Sequence, residues 1–332
     1  MKLAIQEIID GLRNLNHITI NNLSYPITKY LGGDLKMLAI LYGINKANSQ
    51  FPCIWCEFNV MLDSVNYQQQ WPITRCLCNQ GTRGLINEPI IDFIDFKFCV
   101  VDTLHLFLRL AECLFRGLIS IINILDNSSS ANIEDRIYLK RFFDFLEINC
   151  GIKDPLFVKE TNNERVFKMR TINSNQLVTI FTKMYENGGN LFKVLGIDIS
   201  TVQDQSLSYR LRSYNFLLYE FYELYKLSKN DSSASDAHLP SRLNQWAKIY
   251  SSSGSFNSDK YTPYLHIFVH HINELILLHN NINNFNCQGL EKYNDQIKNI
   301  YFRCTNRHEN DEKDYLHQIL LKRNRLEFFD LD

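Results

Sequence analysis

Two thiols and a histidine cluster, far apart in sequence, set the tightest limit on how this chain can fold. Cys53-Ile54-Trp55-Cys56 puts two thiol side chains on one short loop, and His266, 210 residues after Cys56, opens a cluster with His270 and His271. Zn²⁺ accepts both ligand types and closes a structural site with four of them. A shared ion would staple the early part of the chain to its end. The competing reading is a pair of buried cysteines and a separate surface cluster of histidines. An acidic residue stands on either side of this set: Asp34 after Gly32-Gly33, and Glu291 in the run Gly289-Leu290-Glu291-Lys292-Tyr293-Asn294.

The histidine spacing poses a geometric choice. On a regular α-helix His266 and His270 share a face one turn apart, whereas His266 and His271 diverge by about 140°. A straight helix favours His270 as the fourth ligand. A distorted helix start just after Pro263 permits His271.

Lys plus Arg number 35 and Asp plus Glu 36, a net charge of −1. The chain as a whole therefore has no electrostatic footprint for DNA or a membrane, and any nucleic-acid binding must come from local basic patches or from further sequence. Aromatic residues at 13% with only 7 Pro describe a folded, helix-rich protein. The 332 residues suffice for one large domain or two. Nine cysteines is an odd number. The first residues meet a charge before any apolar core forms, so no signal peptide is expected. An intracellular, reduced compartment follows as the expectation, and it favours thiolate ligands over disulfides. The apolar stretch 104–125 contains Arg109, Glu112 and Arg116. It reads as a buried helix, with no membrane span expected.

Along the chain, 3–14 has helical spacing and 17–27 alternates as a short hairpin with Asn21-Asn22 at the turn. Asp34 sits where an N-cap would open a helix over 35–42. Residues 57–100 are mixed. Helical patterns then cover roughly 102–125, 133–150, 174–187, 206–229 and 240–250, with two more helices in 262–303. The aromatics of 206–229 (Tyr209, Phe216, Tyr219, Tyr222, Tyr225) read as core. Three segments result: 1–50 with Asp34, 51–261 with the CxxC and the helical bulk, and 262–332 with the histidines, Glu291 and a charged tail.

Clustered carboxylates hold the Mg²⁺ ions of two-metal nucleases and transposases, which gives Asp34 and Glu291 their functional reading. Their bland readings are a helix cap and a solvated carboxylate in a helix's first turn. Asp102 and His105 have the look of a catalytic dyad, but as the start of the long apolar helix they read better as an Asp N-cap with a histidine packed nearby.

The order of these elements resembles the catalytic core of the Transib transposases and the recombination-activating recombinase of jawed vertebrates, DDE enzymes with an RNase H-like fold interrupted by a large helical insertion. Asp34, in GGDLKML, matches that family's second catalytic acid, and CIWC follows at a similar interval to its zinc CxxC. VDTLHLFLRLAE resembles the helix entry in the insertion, and YLHIFVHHINELI its zinc histidine segment. The match lands on His266 and His271. Glu291, in GLEKYND, falls where the family has its final catalytic Glu, with Asn294 also matching. The layout is shared by related cut-and-paste transposases, the hAT group among them.

The resemblance implies a mainly α (α+β) chain: an incomplete, zinc-stapled RNase H-like remnant interrupted by a dominant helical insertion. It implies structural Zn²⁺ on Cys53, Cys56, His266 and His271, catalytic Mg²⁺ or Mn²⁺ on Asp34 and Glu291, DNA as partner, a nuclear location and a possible homo-oligomer. The family's first catalytic Asp has no match in residues 1–33. The expectation is a fragment or domesticated remnant that does not nick DNA by itself. The alternative is a non-catalytic, zinc-stabilised helical interaction module derived from such a transposase.

Overall fold

A computed structural model describes residues 2–61, 69–77, 82–126, 132–161, 164–228, 237–252, 262–304 and 319. The chain is mainly helical. Residues 1–285 form one compact unit and 286–332 a second.

Helix α1 (Lys2–Asn14) leads into the antiparallel hairpin β1 (His17–Ile20) and β2 (Leu23–Pro26), in register from His17↔Pro26 to Ile20↔Leu23. Asn21 and Asn22 carry φ of 51° and 64°. Two successive left-handed residues make the turn whose twist suits a two-residue hairpin, and Asn tolerates that conformation. Strand β3 (Leu31–Gly33) follows, then α2 (Leu35–Leu41). Much later in the chain β4 (Cys99–Val101) returns and pairs with β3 in parallel, Gly33 opposite Val101. Both strands run straight into helices: β3 into α2, and β4 into α3 (Thr103–Asp126).

Helix α3 is the axis of the first unit. Leu106, Phe107, Leu110, Leu114, Leu118 and Ile121 are all buried along it. It packs against α4 (Ile137–Asp144), α5 (Ser174–Tyr185), α7 (Gln205–Ser228) and α9 (Pro263–His266). Two contacts knit the bundle: the Phe107 ring meets Phe221, Tyr225 and Phe268, and the Trp246 indole of α8 (Leu239–Ser252) donates to Leu217 O at 3.0 Å. Short α6 (Leu191–Leu195) and a hairpin, β5 (Leu156–Thr161) with β6 (Glu164–Met169), complete the outside. No described helix is long and apolar enough to cross a membrane.

The helical pattern expected over 133–150 is α4 continued by a π-helical turn, Phe145–Asn149. The aromatics of α7 divide: Tyr225 is core and Phe216 and Tyr222 are half-buried, but Tyr209 and Tyr219 are exposed. The β5–β6 hairpin and the parallel partner of β3 go beyond what the sequence pattern suggested. The histidine part of 262–332 packs within the first unit, and α11 (Gln288–Cys304) lies in the second.

Candidate metal centre and carboxylate site

The CxxC loop is shaped by what its backbone carbonyls meet. Thr74 and Arg75 donate their backbone N–H groups to Trp55 O at 2.9 and 3.0 Å. The Arg75 side chain is buried beneath the loop, its Nε donating to Cys53 O at 3.2 Å and Cys56 O at 3.0 Å, its Nη2 to Arg83 O at 2.7 Å. Burial lowers the guanidinium's pKa, partly offset by the two thiols and Glu57. From the other side the Trp55 indole donates to Cys99 O, at the start of β4, at 3.1 Å. The loop is held on both sides, and its two thiols point the same way.

The histidines arrive on a composite helix. Thr262 caps α9, its hydroxyl accepting from Leu265 N, with Pro263 at the first turn. A π turn, Ile267–His271, comes next, closed by Ile272 N–H donating to Ile267 O, and α10 (Ile272–His279) completes the rod. The π turn settles the geometric choice posed by the sequence. Widening one turn to an i→i+5 closure brings residues five apart onto one face. His266 and His271 therefore converge, and His270 is left beside them, half-buried.

The four side chains meet. Cys53 Sγ lies 3.3 Å from His271 Nε2, Cys56 Sγ 3.2 Å from His266 Nε2, and the two Nε2 atoms are 3.1 Å apart. All four ligand atoms fall within 4.8 Å of one another, and both cysteines are 1% exposed and both histidines 0%. A tetrahedral Zn²⁺ with ordinary bond lengths has N···N edges of about 3.3 Å and S···N edges of about 3.6 Å. The observed edges are within a few tenths of an ångström of that. The donor set is neutral overall around Zn²⁺ once both thiols are ionised, which suits a dry interior. The site can hold a metal ion.

Electrostatics divide the groups of the cluster. Burial opposes ionisation of Cys53, but Cys56 and the two imidazoles overcome it and hold that thiol well below its usual range. Burial, reinforced by Cys53, pushes the Cys56 thiol up. His271 is disfavoured as a cation by burial, yet the Cys53 charge and Glu274 leave it at about 9. Burial and the two neighbouring imidazoles push His270 down to about 3. Around the shell, Phe58 stacks on His266 with ring centroids 4.0 Å apart. Glu274 Oε2 sits 3.9 Å from His271 Nδ1 while accepting from Ile73 N at 3.0 Å. At that distance the carboxylate acts on His271 as a nearby negative charge and not as a hydrogen-bond partner of its ring.

The second candidate site lies at the carboxyl ends of the parallel pair. Asp34 follows β3 and caps α2, Oδ1 accepting from Met37 N at 2.7 Å. Asp102 follows β4, donates its own N–H to Gly33 O at 2.8 Å, and caps α3, Oδ1 accepting from Leu104 N at 3.0 Å. Its Oδ2 faces His105 Nδ1 in a close pair. The N-cap expectation therefore holds for Asp34, and for Asp102 with His105 beside it. What sequence reasoning missed is their adjacency. Leu-Gly-Gly-Asp and Cys-Val-Val-Asp each run a short strand into an aspartate that opens a helix, and that shared grammar was the available signal. Tyr264 sits by both: burial raises its hydroxyl, Arg109 pulls it back, and Asp34 and Asp102 raise it further.

Glu291 belongs to α11 in the second unit, and its side chain lies outside the described residues, as does that of Asn294. Compared with known protein families and with curated proteins, the chain matches none.

Proposed function

We propose that this chain is a zinc-stapled DDE transposase core of the Transib and recombination-activating type, an RNase H-like remnant around a helical insertion, whose work is on DNA in the nucleus. The supporting observation is the convergence of Cys53, Cys56, His266 and His271. The resemblance named those four from islands far apart in the chain, including the histidine that a straight helix would have rejected. Further support comes from Asp34, which stands at the carboxyl end of a parallel strand, the usual place for ligand-binding groups in open α/β sheets.

In this reading Zn²⁺ is structural. Asp34 and Glu291 hold Mg²⁺ or Mn²⁺. Divalent ions at such a site activate the attacking oxygen and stabilise the leaving one in strand cleavage and transfer. The family's first catalytic carboxylate has no match in residues 1–33, so strand transfer is proposed only where such an acid is supplied. One observation favours the alternative, a non-catalytic zinc-stabilised module: Asp34 and Asp102 already serve as caps, and Asp102 is paired with His105.

Iron-directed backbone cutting separates the two. Fe²⁺ occupying Mg²⁺ sites, with ascorbate and peroxide, cuts the polypeptide next to where it is bound. The transposase reading expects cuts near residues 34 and 291, suppressed by excess Mg²⁺ and by Asp34→Asn. Absence of cutting near either residue in zinc-replete protein would favour the structural module.

A further inference from the structure

Cys53, Cys56, His266 and His271 are so deeply buried that an ion reaches them only through their cover. A metal site needs an entry path as well as its donors and their supports. Most of this cover is closed. Trp55, Phe58 and Arg75 are all buried: Trp55 is tied to Cys99 O, Arg75 to the two cysteine carbonyls, and Phe58 stacks on His266. The thin part is a cavity of about 240 Å³ whose walls include Trp71, Asn244, His270, Asn273 and Glu274. Two of these, His270 and Trp71, are half-buried and also reach the centre, their rings 4.9 and 6.1 Å from that of His266, centroid to centroid.

Trp71 is the loosest of the three tryptophans. The Trp55 and Trp246 indoles donate to Cys99 O and Leu217 O, whereas the Trp71 indole N–H is buried with no hydrogen-bond partner. Packing alone holds its ring, which can swing aside without breaking a hydrogen bond. The donors beside it suit a cation. His270 and Glu274, four residues apart, share a helix face and both line the cavity. Glu274 accepts from Ile73 N through Oε2, and its side chain is 34% exposed. A carboxylate has two oxygens and about four lone-pair sites, so that one bond does not use it up. Imidazole and carboxylate are both zinc donors. Two of them hold an ion less firmly than four, as a way station requires: firm enough to capture, weak enough to release.

We propose that His270 and Glu274 form the entry site for zinc: they take the ion from solvent in the cavity beside Trp71, and His270 passes it to His266 and the buried centre. The assignment rests on the zinc staple and is independent of any work on DNA. It gives His270, which the π turn leaves out of the final set of ligands, a part in filling that set. Protein donors replace the ion's water one at a time, and the two thiol protons pass to solvent.

Exchange of radioactive zinc into the zinc-loaded full chain under native conditions tests it, because the way in is also the way out. His270→Phe, which keeps a ring and removes the donor, should exchange roughly tenfold or more slowly than the unmodified chain, the scale usual for losing a partner at a metal site. Its zinc content and melting temperature should stay those of wild type. Glu274→Gln should slow exchange in the same direction, and His17→Phe, at an exposed histidine of β1, should leave it unchanged. A second measurement needs no variant. Diethyl pyrocarbonate should modify His270 in the zinc-loaded chain, and added Zn²⁺ but not Mg²⁺ should protect it, as read by mass spectrometry. Exchange in His270→Phe at the wild-type rate or faster overturns the entry site and leaves the staple standing, as does modification of His270 that added Zn²⁺ does not slow. A folded chain that takes up no zinc at all removes the staple and the entry site together.

Discussion

A Cys56→Ser chain is expected to emerge from purification without zinc and to melt more than 10 °C below the wild type. Structural zinc binding is worth on the order of 10–16 kcal/mol in small zinc modules, comparable with the whole stability of an ordinary domain, about 5–15 kcal/mol. Here the site is fully buried and its ligands come from two segments more than two hundred residues apart. Losing the ion therefore removes a cross-link and strands a thiolate and two imidazoles in the interior. Even a fraction of the binding energy, about 5 kcal/mol at 2–4 °C per kcal/mol, gives the stated drop. His271→Ala should behave the same way. His270→Ala should keep its zinc, because the π turn directs His271 and not His270 at the thiols. Metal analysis of the folded fraction with a thermal melt checks all three. A Cys56→Ser protein that keeps both its zinc and its melting temperature would refute the staple.

Arg75→Met should be the next most damaging change, although Arg75 touches no metal ligand atom. Its guanidinium satisfies three carbonyls, those of Cys53, Cys56 and Arg83, at a buried position. Methionine fills similar volume but leaves those carbonyls without donors, each costing about 1–3 kcal/mol. The expected loss is about 3–5 kcal/mol, a melting shift of roughly 6–20 °C. Zinc affinity should fall about 10–100-fold, the usual effect of removing an outer-shell partner. Arg75→Lys should rescue little, since one ammonium cannot reproduce the planar fork. Chelator competition alongside a melt measures both, and an Arg75→Met protein equal to wild type in both would show that the loop holds its own shape.

Much of this was legible in the sequence, for physical reasons. Local rules carried far: α3, α5, α7 and α8 begin and end within a residue or two of their apolar periodicity, Asn21-Asn22 makes the turn, and Asp34 is the cap its position after Gly32-Gly33 suggests. The metal centre was legible in part: ligand chemistry singled out Cys53, Cys56 and the histidine cluster but left His270 and His271 open, and the resemblance pointed to His271, one of the four residues that meet. The π turn was not. A five-residue histidine interval is compatible with either helix type until packing decides which side chains face inward. The pairing of β3 with β4 was also hidden, since three residues at each of two distant positions carry too little pattern to specify a partner. For that reason Asp102 read as a cap alone, and its place beside Asp34 came only with the fold.

X-ray absorption at the zinc edge of the purified, unmodified chain tests the central claim most directly. The account predicts one zinc per chain bound by two sulfurs at about 2.3 Å and two imidazole nitrogens at about 2.0–2.1 Å. A well-folded protein with no zinc, or zinc in a shell of only oxygen and nitrogen, would contradict it.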